Sequence, residues 1–551
     1  VDTVAYKYEE LTELDDGGGS DEAYTVEAMD RSIQLAIGNQ GGGGGAAGPA
    51  KISSKDSVVT TYGDHAVGLE AQSIGGGGGK GGTAITTGVS AAFVATSVSL
   101  GGSGGSGGTG GVADIDNSSQ VITYGPDATA IKSSSIGGGG GHGGASMATA
   151  YSVSQFPEVP SVSVAVSLGG AGGSASPGGT SSINNSGFVA TAGNGAQALL
   201  VQSVGGGGGF GGDSSAASFT GGGADIKLDV DVAIGGHGGF GAHGGTVTLD
   251  NSGFLATYGQ DAHAILAQSV GGSGGVGGGT DGNGIADDAK SFSFSTSVNL
   301  GGKAGQGSTG GEVDVTNTGA IGTRGDGSNG ILAQSIGGGG GAGGSGSGGS
   351  GGGNLSVAVS IGGNDGDGHE GGKVVVKNQN TIMTSGIQSI GIQAQSVGGG
   401  GGNAGYNKVS NSADGGTFSL RIGRSGGTGG EAGDVTASSD GNVSTAGDRS
   451  HGLFAQSVAN GGGNSTTTTV RVSAPADEDT KGSFFSLGVG LDGGEGGAAG
   501  DVDVTATGTL VTAGSDSHGV FAQSVGGGGG TGGGVTNSAS TATSFSIGVG
   551  G

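Results

Sequence analysis

The chain of 551 residues contains no cysteine and no tryptophan, and only 4 % of its residues are aromatic. The absence of cysteine excludes a disulfide framework and thiol catalysis. The shortage of rings excludes a conventional core built on large aromatic side chains, so stability has to come from backbone hydrogen bonds and stacked small residues. No apolar run approaches the ~18 residues of a membrane-spanning helix, and we therefore expect no membrane insertion.

Basic residues are also scarce. The chain has 45 acidic and 18 basic residues, and its net charge is −27. The negative electrostatic potential that this charge produces repels nucleic acids and anionic membrane surfaces, so neither is an expected partner. The same charge keeps a large repetitive object soluble, and the lack of cysteine is compatible with export.

Glycine is abundant, with 147 residues, and this composition without a pattern would indicate low-complexity disorder. Here it is patterned. A short apolar strand that ends in Gln-Ser-aliphatic and is followed by glycines, as in the segment from Gly68 to Gly82, returns eight times at intervals of 61 to 68 residues. The glutamine-equivalent positions are Gln72, Ser134, Gln202, Gln268, Gln334, Gln395, Gln456 and Gln523. An internal repeat of this kind predicts a solenoid rather than a globular enzyme.

The segments between the glycines alternate with period two. In one of them Leu355, Val357, Val359 and Ile361 are separated by small residues, and no segment predicts an amphipathic helix. The sequence therefore predicts an all-β fold, a parallel β-solenoid of eight repeats. If one repeat makes one coil, stacked Ile, Val, Ala and Ser side chains fill the interior and the glutamines form an amide ladder.

The glycine runs allow two interpretations. Flexible linkers are the usual reading of such a composition. The stretch from Gly101 to Gly111, however, has glycine at two of every three positions, which suits polyglycine-II helices with three residues per turn that exchange hydrogen bonds with their neighbours. We favour the second interpretation.

The repeats occupy residues 33–551. Residues 1–32 fall outside the pattern and form a cap, a linker or a strand that pairs with a neighbouring subunit. The chain stops inside a repeat, and we expect it to be part of a longer polypeptide.

Candidates for chemistry are few, and no cluster indicates an active site, so we expect no enzyme and no required cofactor. Two acidic turns are the best candidates for a metal, since oxygen-rich Gly/Asp turns suit Ca²⁺. The candidate residues are Asp365, Asp367, Glu370, Asp281 and Asp287. The alternative is that these turns are merely solvated. Of the histidines, only His451 and His518, at equivalent positions of consecutive repeats, could lie close together, and a solvent-facing turn is the simpler interpretation.

The motif T-x-G-x-x-x-x-G-I-x-A-Q-S-I/V followed by five glycines, as in Thr323 to Gly341, resembles the glycine-rich passenger repeats of large bacterial autotransporter-type surface proteins. The resemblance covers residues 33–551. It implies secretion across a Gram-negative envelope, attachment at the outer membrane, a β-helical passenger and an adhesive or structural role.

The first hypothesis is thus an extracellular adhesin, stalk or filament that extends through further repeats or self-association. It would meet a host cell, a neighbouring cell or an abiotic surface. The alternative is a solenoid module that binds carbohydrate or calcium.

Overall fold

The structure is a computed structural model that describes residues 31–287, 289, 291–473, 483–540 and 543–551. These residues form 41 strands and no helix. The strands belong to five sheets, named A to E in the order in which the chain first enters them. The predicted N-terminal segment lies outside the described residues apart from Arg31 and Ser32, which open the first strand.

Sheets A and E form one part of each coil. Sheet A consists of Arg31–Ile37, Val94–Leu100, Ser161–Leu168, Ile226–Ile234, Phe292–Leu300, Leu355–Ile361, Gly416–Ile422, Ser483–Val489 and Ser544–Val549. Sheet E consists of Ala84–Ser90, Ser146–Ser154, Ser214–Gly222, Thr280–Ala286, Gly346–Gly351, Asn407–Ser412, Thr468–Ser473 and Val535–Ser540.

Sheets B, C and D form the other part. Sheet B consists of Ala50–Ser54, Ala113–Asn117, Ser181–Asn185, Val247–Asn251, Val313–Asn317, Val374–Asn378, Val435–Ser439 and Val502–Ala506. Sheet C consists of Val58–Thr61, Gln120–Thr123, Val189–Thr191, Leu255–Thr257, Ile321–Thr323, Ile382–Thr384, Val443–Thr445 and Leu510–Thr512. Sheet D consists of Leu69–Ile74, Ile131–Ile136, Leu199–Val204, Ile265–Val270, Ile331–Ile336, Ile392–Val397, Leu453–Val458 and Val520–Val525.

Every strand pairs in parallel with the equivalent strand of the next repeat, so one repeat makes one coil. Gln268 lies opposite Gln334, for example, and Leu300 lies opposite Ile361. The fold is therefore a parallel β-solenoid, and the predicted fold class is confirmed. Because equivalent residues stack at the strand spacing of ~4.8 Å, a position that repeats in the sequence becomes a column along the axis.

Each coil contains two interiors of different composition. Sheets B, C and D enclose a column of aliphatic side chains, among them Ile115, Leu249 and Ile331, which are fully buried. Sheets A and E pack face to face around mostly small residues. Their buried apolar side chains are alanines in the first coils, and Val470, Val472 and Phe484 form a second cluster near the other end. Ser97 Oγ donates a hydrogen bond across this second interior to Thr86 Oγ1 at 2.6 Å.

The expectation that aliphatic stacks fill the interior holds for sheets B, C and D but not for sheet A. In the strand Leu355–Ile361 the buried residues are Ser356, Ala358 and Ser360, whereas the larger side chains face outward. Alternation defined the two faces of this strand correctly. The small residues of this strand face inward because sheet E packs against that side with small residues of its own.

Two glycine runs per coil connect the two parts, one after sheet A and one after sheet D. Within a run, every third amide donates to the same run of the next coil: Gly208 N to Ser273 O at 2.8 Å and Gly211 N to Val276 O at 2.8 Å. The amide one residue further on donates to the other run, as Gly209 N does to Gly173 O at 2.9 Å. This three-residue periodicity is that of packed polyglycine-II helices, and it excludes flexible linkers here.

The packing of these helices explains why two of every three positions are glycine. A Cβ atom added at Gly208 would lie 2.0 Å from the carbonyl oxygen of Gly239, and one added at Gly209 would lie 2.0 Å from that of Gly141. At Gly207, the third position, the nearest atoms are 3.7 Å away. Third positions face outward, and in many coils they carry the side chains that vary.

Candidate functional site

The repeated glutamine forms a hydrogen-bonded ladder on the outer face of sheet D. Gln268 Nε2 donates to Gln334 Oε1 at 2.7 Å, and the same bond continues through Gln395 and Gln456 to Gln523 at 2.7, 3.0 and 2.8 Å. Each amide satisfies the next one along the axis, so the ladder strengthens the stack.

The first coils vary this pattern. Gln202 Nε2 donates to Ser134 Oγ at 3.0 Å, because serine replaces glutamine in the second copy. Gln72 Nε2 donates instead to Glu70 Oε1 at 2.6 Å within its own strand. The glutamines are therefore structural residues, and their side-chain amides form hydrogen bonds mainly with one another.

The serine that follows the glutamine makes a pair of bonds that sequence reasoning missed. Ser335 Oγ donates to Gly311 O at 2.8 Å and accepts from Gly372 N at 2.7 Å, so it links a glycine of its own coil to a glycine of the next. The equivalent donors to glycine carbonyls are Ser73, Ser135, Ser203, Ser269, Ser396, Ser457 and Ser524. The signal for these bonds in the sequence was the serine that follows the glutamine position in all eight copies.

A second ladder, also missed, runs inside the coil at the end of sheet B. Asn117 Nδ2 donates to Asn185 Oδ1 at 2.7 Å, and the chain of buried amides continues through Asn251 and Asn317 to Asn378. Buried amides have to be fully paired, and here the pairing is possible only when equivalent residues stack. The asparagine in the repeated V-x-V-x-N-x-G pattern was its signature.

The structure separates the two predicted calcium ligands near residue 280. Asp281 lies on the outer face of sheet E, whereas Asp287 follows the end of the same strand, with Oδ2 3.9 Å from Lys227 Nζ. Six residues of extended chain span about 20 Å, so these two carboxylates do not share one ion. Asp288, the neighbouring acid, lies outside the described residues.

The other predicted ligands lie in the glycine run from 362 to 373. Asp367 and Glu370 occupy successive outward positions, about 9 Å apart along a polyglycine-II helix. Asp367 accepts hydrogen bonds from Gln306 Nε2 and Thr428 N, both at 3.0 Å. Asp365 takes an inner position instead, where burial raises its pKa to about 6. Within the described ranges no three His, Asp or Glu side chains gather as a metal centre would require, and calcium stays a prediction.

His451 and His518 stack as neighbours along the axis, with ring centroids 5.1 Å apart. Nδ1 of His451 accepts a hydrogen bond from the backbone N of His518 at 3.0 Å, so this nitrogen serves the stack. Burial and the neighbouring His518 lower the pKa of His451. Phe454 and Phe521 extend the ring cluster beside them.

Two carboxylates lie inside the sandwich of sheets A and E. Asp229 and Asp231 are completely buried, and Ser295 Oγ lies 3.5 Å from Asp229 Oδ2. Burial raises the pKa of Asp229 to about 8, and Asp231 beside it adds to the effect. Burial also raises the pKa of Asp231 to about 7. A Cβ at Gly284 on the facing strand would be 2.7–2.8 Å from one oxygen of each carboxylate, so only glycine leaves room for them.

The outer face of sheet A carries mostly apolar side chains, and we call it the apolar face. Its three complete columns, each nine residues deep, follow the strand register. The first is Ile33, Thr96, Val164, Val230, Thr296, Val357, Phe418, Phe485 and Phe545; the second is Leu35, Val98, Val166, Val232, Val298, Val359, Leu420, Leu487 and Ile547; the third is Ile37, Leu100, Leu168, Ile234, Leu300, Ile361, Ile422, Val489 and Val549.

With one exception, the charged side chains of sheet A avoid this face. Lys227, Asp229, Asp231 and Arg421 all point into the sandwich and are buried. The exception is Arg31, which opens the first strand on the same side as Ile33, outside the three complete columns. The outer face of sheet E is different. It is mixed, with polar positions such as Asp281, Asn283, Ser347 and Lys408 lining a shallow depression.

These features define a parallel β-solenoid repeat protein with polyglycine-II connections. Comparisons of the chain with family models, with curated proteins and with solved structures gave no match. None of the described residues belongs to a helix long and apolar enough to cross a bilayer.

Proposed function

We propose that this chain is a non-enzymatic structural segment of an extracellular bacterial surface protein, in which stacked coils form a stiff rod, stalk or filament. The observation that carries the proposal is the in-register pairing of all five sheets through all eight repeats. This unbroken register supports a rod, because each coil then makes the same backbone bonds to the next one along the axis.

The stiffness comes from three sets of bonds along the axis. Backbone ladders run through the sheets, glycine amides link the polyglycine-II helices of successive coils, and the glutamine, asparagine and serine side chains add their own bonds. Bending the rod would strain all of these sets at once. Eight coils at ~4.8 Å per coil span about 40 Å, so a long rod requires further repeats or the end-to-end stacking of copies.

The extracellular location and the adhesive role rest on composition and on the resemblance. A chain without cysteine and with a net charge of −27 suits export and solubility in a long repetitive form. The repeated A-Q-S-I/V motif before glycines resembles bacterial surface passengers. The outward third positions of the glycine runs, which differ from coil to coil, supply a surface that can meet a host cell, another cell or an abiotic material.

Electron microscopy of the native cell surface tests the proposal. We expect antibodies against the repeats to label intact cells along thin rods, and fibre diffraction of the isolated rods to give the ~4.8 Å axial spacing of parallel coils. Labelling only after the cells are lysed, or isolated material in the form of separate beads without that spacing, would refute it.

A further inference from the structure

We propose that the apolar face of sheet A binds the apolar face of a second copy of this chain, so that two solenoids lie side by side. This lateral pairing goes beyond the proposed rod and does not depend on where the protein is located. It concerns the flank of the stack, whereas extension of the rod concerns its ends.

The size of the face is that of a stable protein interface. Nine strands at ~4.8 Å and three columns ~6.7 Å apart cover about 43 by 20 Å, or roughly 860 Å² on each copy. Specific complexes bury about 800 Å² per partner. Monomeric proteins seldom expose an apolar patch larger than a few hundred Å². Even the middle strands leave the large side chains of this face partly exposed, and the first strand leaves Ile33, Leu35 and Ile37 more than half exposed.

The composition of the face selects a second copy as its partner. Only Thr96 and Thr296 interrupt the aliphatic and aromatic side chains of the three columns, and no carboxylate lies among them although the chain carries 45 acidic residues. Two such faces bring no like charges into direct contact, and the two sheets can pack ~10 Å apart in the aligned manner of β-sandwiches.

The arrangement would be a two-fold pair. A face that is apolar over its whole depth can meet the same face of a second copy, which is the requirement of an isologous contact. The sandwich of sheets A and E would then become a stack of four sheets, with small residues in the two inner layers and large aliphatic residues in the new central layer.

The test is the mass of the full chain by sedimentation equilibrium over a range of concentrations. We expect a dimer whose dissociation constant rises about 30-fold or more in Val232→Lys, because a charge then has to be buried at the centre of the contact. Ala217→Lys is the matched control: Ala217 is half-buried on the outer face of sheet E, on the strand that packs behind Val232. This variant should dimerise as the unmodified chain does.

A milder variant covers the case in which a lysine at this position disturbs folding. Val166, Val232 and Val298 lie next to one another in the central column, and Thr96 shows that the face accepts threonine. Replacing all three valines by threonine keeps their shape and should weaken the dimer while leaving the circular dichroism spectrum unchanged.

Four results would overturn the inference. One is a monomer at every concentration, and a second is an oligomer that responds equally to Val232→Lys and Ala217→Lys. The third is binding of the monomer to neutral phosphatidylcholine vesicles that is lost in Val232→Lys, which would assign the face to lipid. End-to-end filaments that ignore Val232→Lys would likewise refute lateral pairing, but they would leave the proposed rod intact.

Discussion

Replacing Gly208 by alanine tests the polyglycine-II lattice, and Gly207→Ala is a matched control one residue away. The new Cβ at position 208 would lie 2.0 Å from Gly239 O, whereas at position 207 it would find no atom within 3.7 Å. Because contacts below ~3.0 Å are not tolerated, the helix that contains Gly208 has to move about 1 Å away from the helix that contains Gly239.

That movement has a cost that the structure allows us to work out. The two helices are joined by Gly236 N to Gly212 O, Gly239 N to Gly209 O and Ala242 N to Gly206 O, at 2.9, 2.7 and 3.0 Å. Overpacking costs about 1–3 kcal/mol. Each hydrogen bond that is stretched beyond use costs about 1 kcal/mol more. We therefore expect Gly208→Ala to destabilise this coil by about 2–5 kcal/mol.

The control should behave in the opposite way. Alanine at position 207 makes only an ordinary van der Waals contact with Ser273, at 3.7 Å, and it restricts the unfolded chain, so a gain of about 0.4–1 kcal/mol is expected. Native-state hydrogen exchange of the glycine amides, supported by thermal unfolding followed by circular dichroism, measures both effects. If the two variants exchange and unfold alike, the runs are flexible linkers and the lattice does not exist.

Three further predictions concern single side chains. Ser335→Ala should destabilise the protein by about 1–2 kcal/mol in denaturant unfolding, because the partly buried amide of Gly372 loses its acceptor. Arg449→Gly should stabilise it by about 0.5–1 kcal/mol in the same assay, because Arg449 holds a φ of 54° and glycine occupies the equivalent turn position in two other coils. Asp229→Asn should raise the free energy of unfolding at pH 7 by up to about 4 kcal/mol. The Asp229 carboxyl has a pKa of about 8 in the folded state and 3.8 ordinarily, so at pH 7 its ionisation favours the unfolded state, and asparagine removes this penalty.

The sign of the last effect follows from proton binding. The folded state holds the proton of Asp229 up to about pH 8, whereas the unfolded state releases it near pH 3.8, so stability falls as the pH rises between these values. Lys227 and Asp231 flank Asp229 on the inner face of its strand, and Asp231 adds to the rise in its pKa. The gain from Asp229→Asn should therefore shrink towards zero at pH 4. A gain that is the same at pH 4 and pH 8 would contradict the explanation.

The other two variants have controls of their own. Ser347→Ala, on the outer face of sheet E, should change the unfolding free energy by no more than ~0.5 kcal/mol. A similar loss in Ser335→Ala and Ser347→Ala would mean that the serine bonds add nothing specific. Gly327→Ala, at the same turn position with a φ of 69°, should destabilise the protein, and a stabilising result would refute the argument from the left-handed turn.

The sequence by itself determined the all-β class and the eightfold repeat, whereas the number of coils per repeat came from the strand pairing in the structure. Period-two alternation identifies a strand locally, and the eight Gln-Ser copies recur at a spacing that can stack only if one repeat makes one coil. The glycine triplets belong to the same category, because two bare positions in every three are useful only to a three-residue helix that touches neighbours on two sides. Each of these features is encoded within a few residues and repeated, so no knowledge of distant contacts was needed.

Only the tertiary structure decided which face of each strand is covered. Alternation in Leu355–Ile361 separates large from small side chains, but it does not say that sheet E covers the small ones and leaves the large ones outside. The same holds for Ser335, whose partners lie 24 and 37 residues away in the sequence, and for Asp229 and Asp231, whose burial depends on the space left by Gly284 on another strand. Whether a residue is buried depends on which strand packs against it, and the path of the whole coil determines which strand that is.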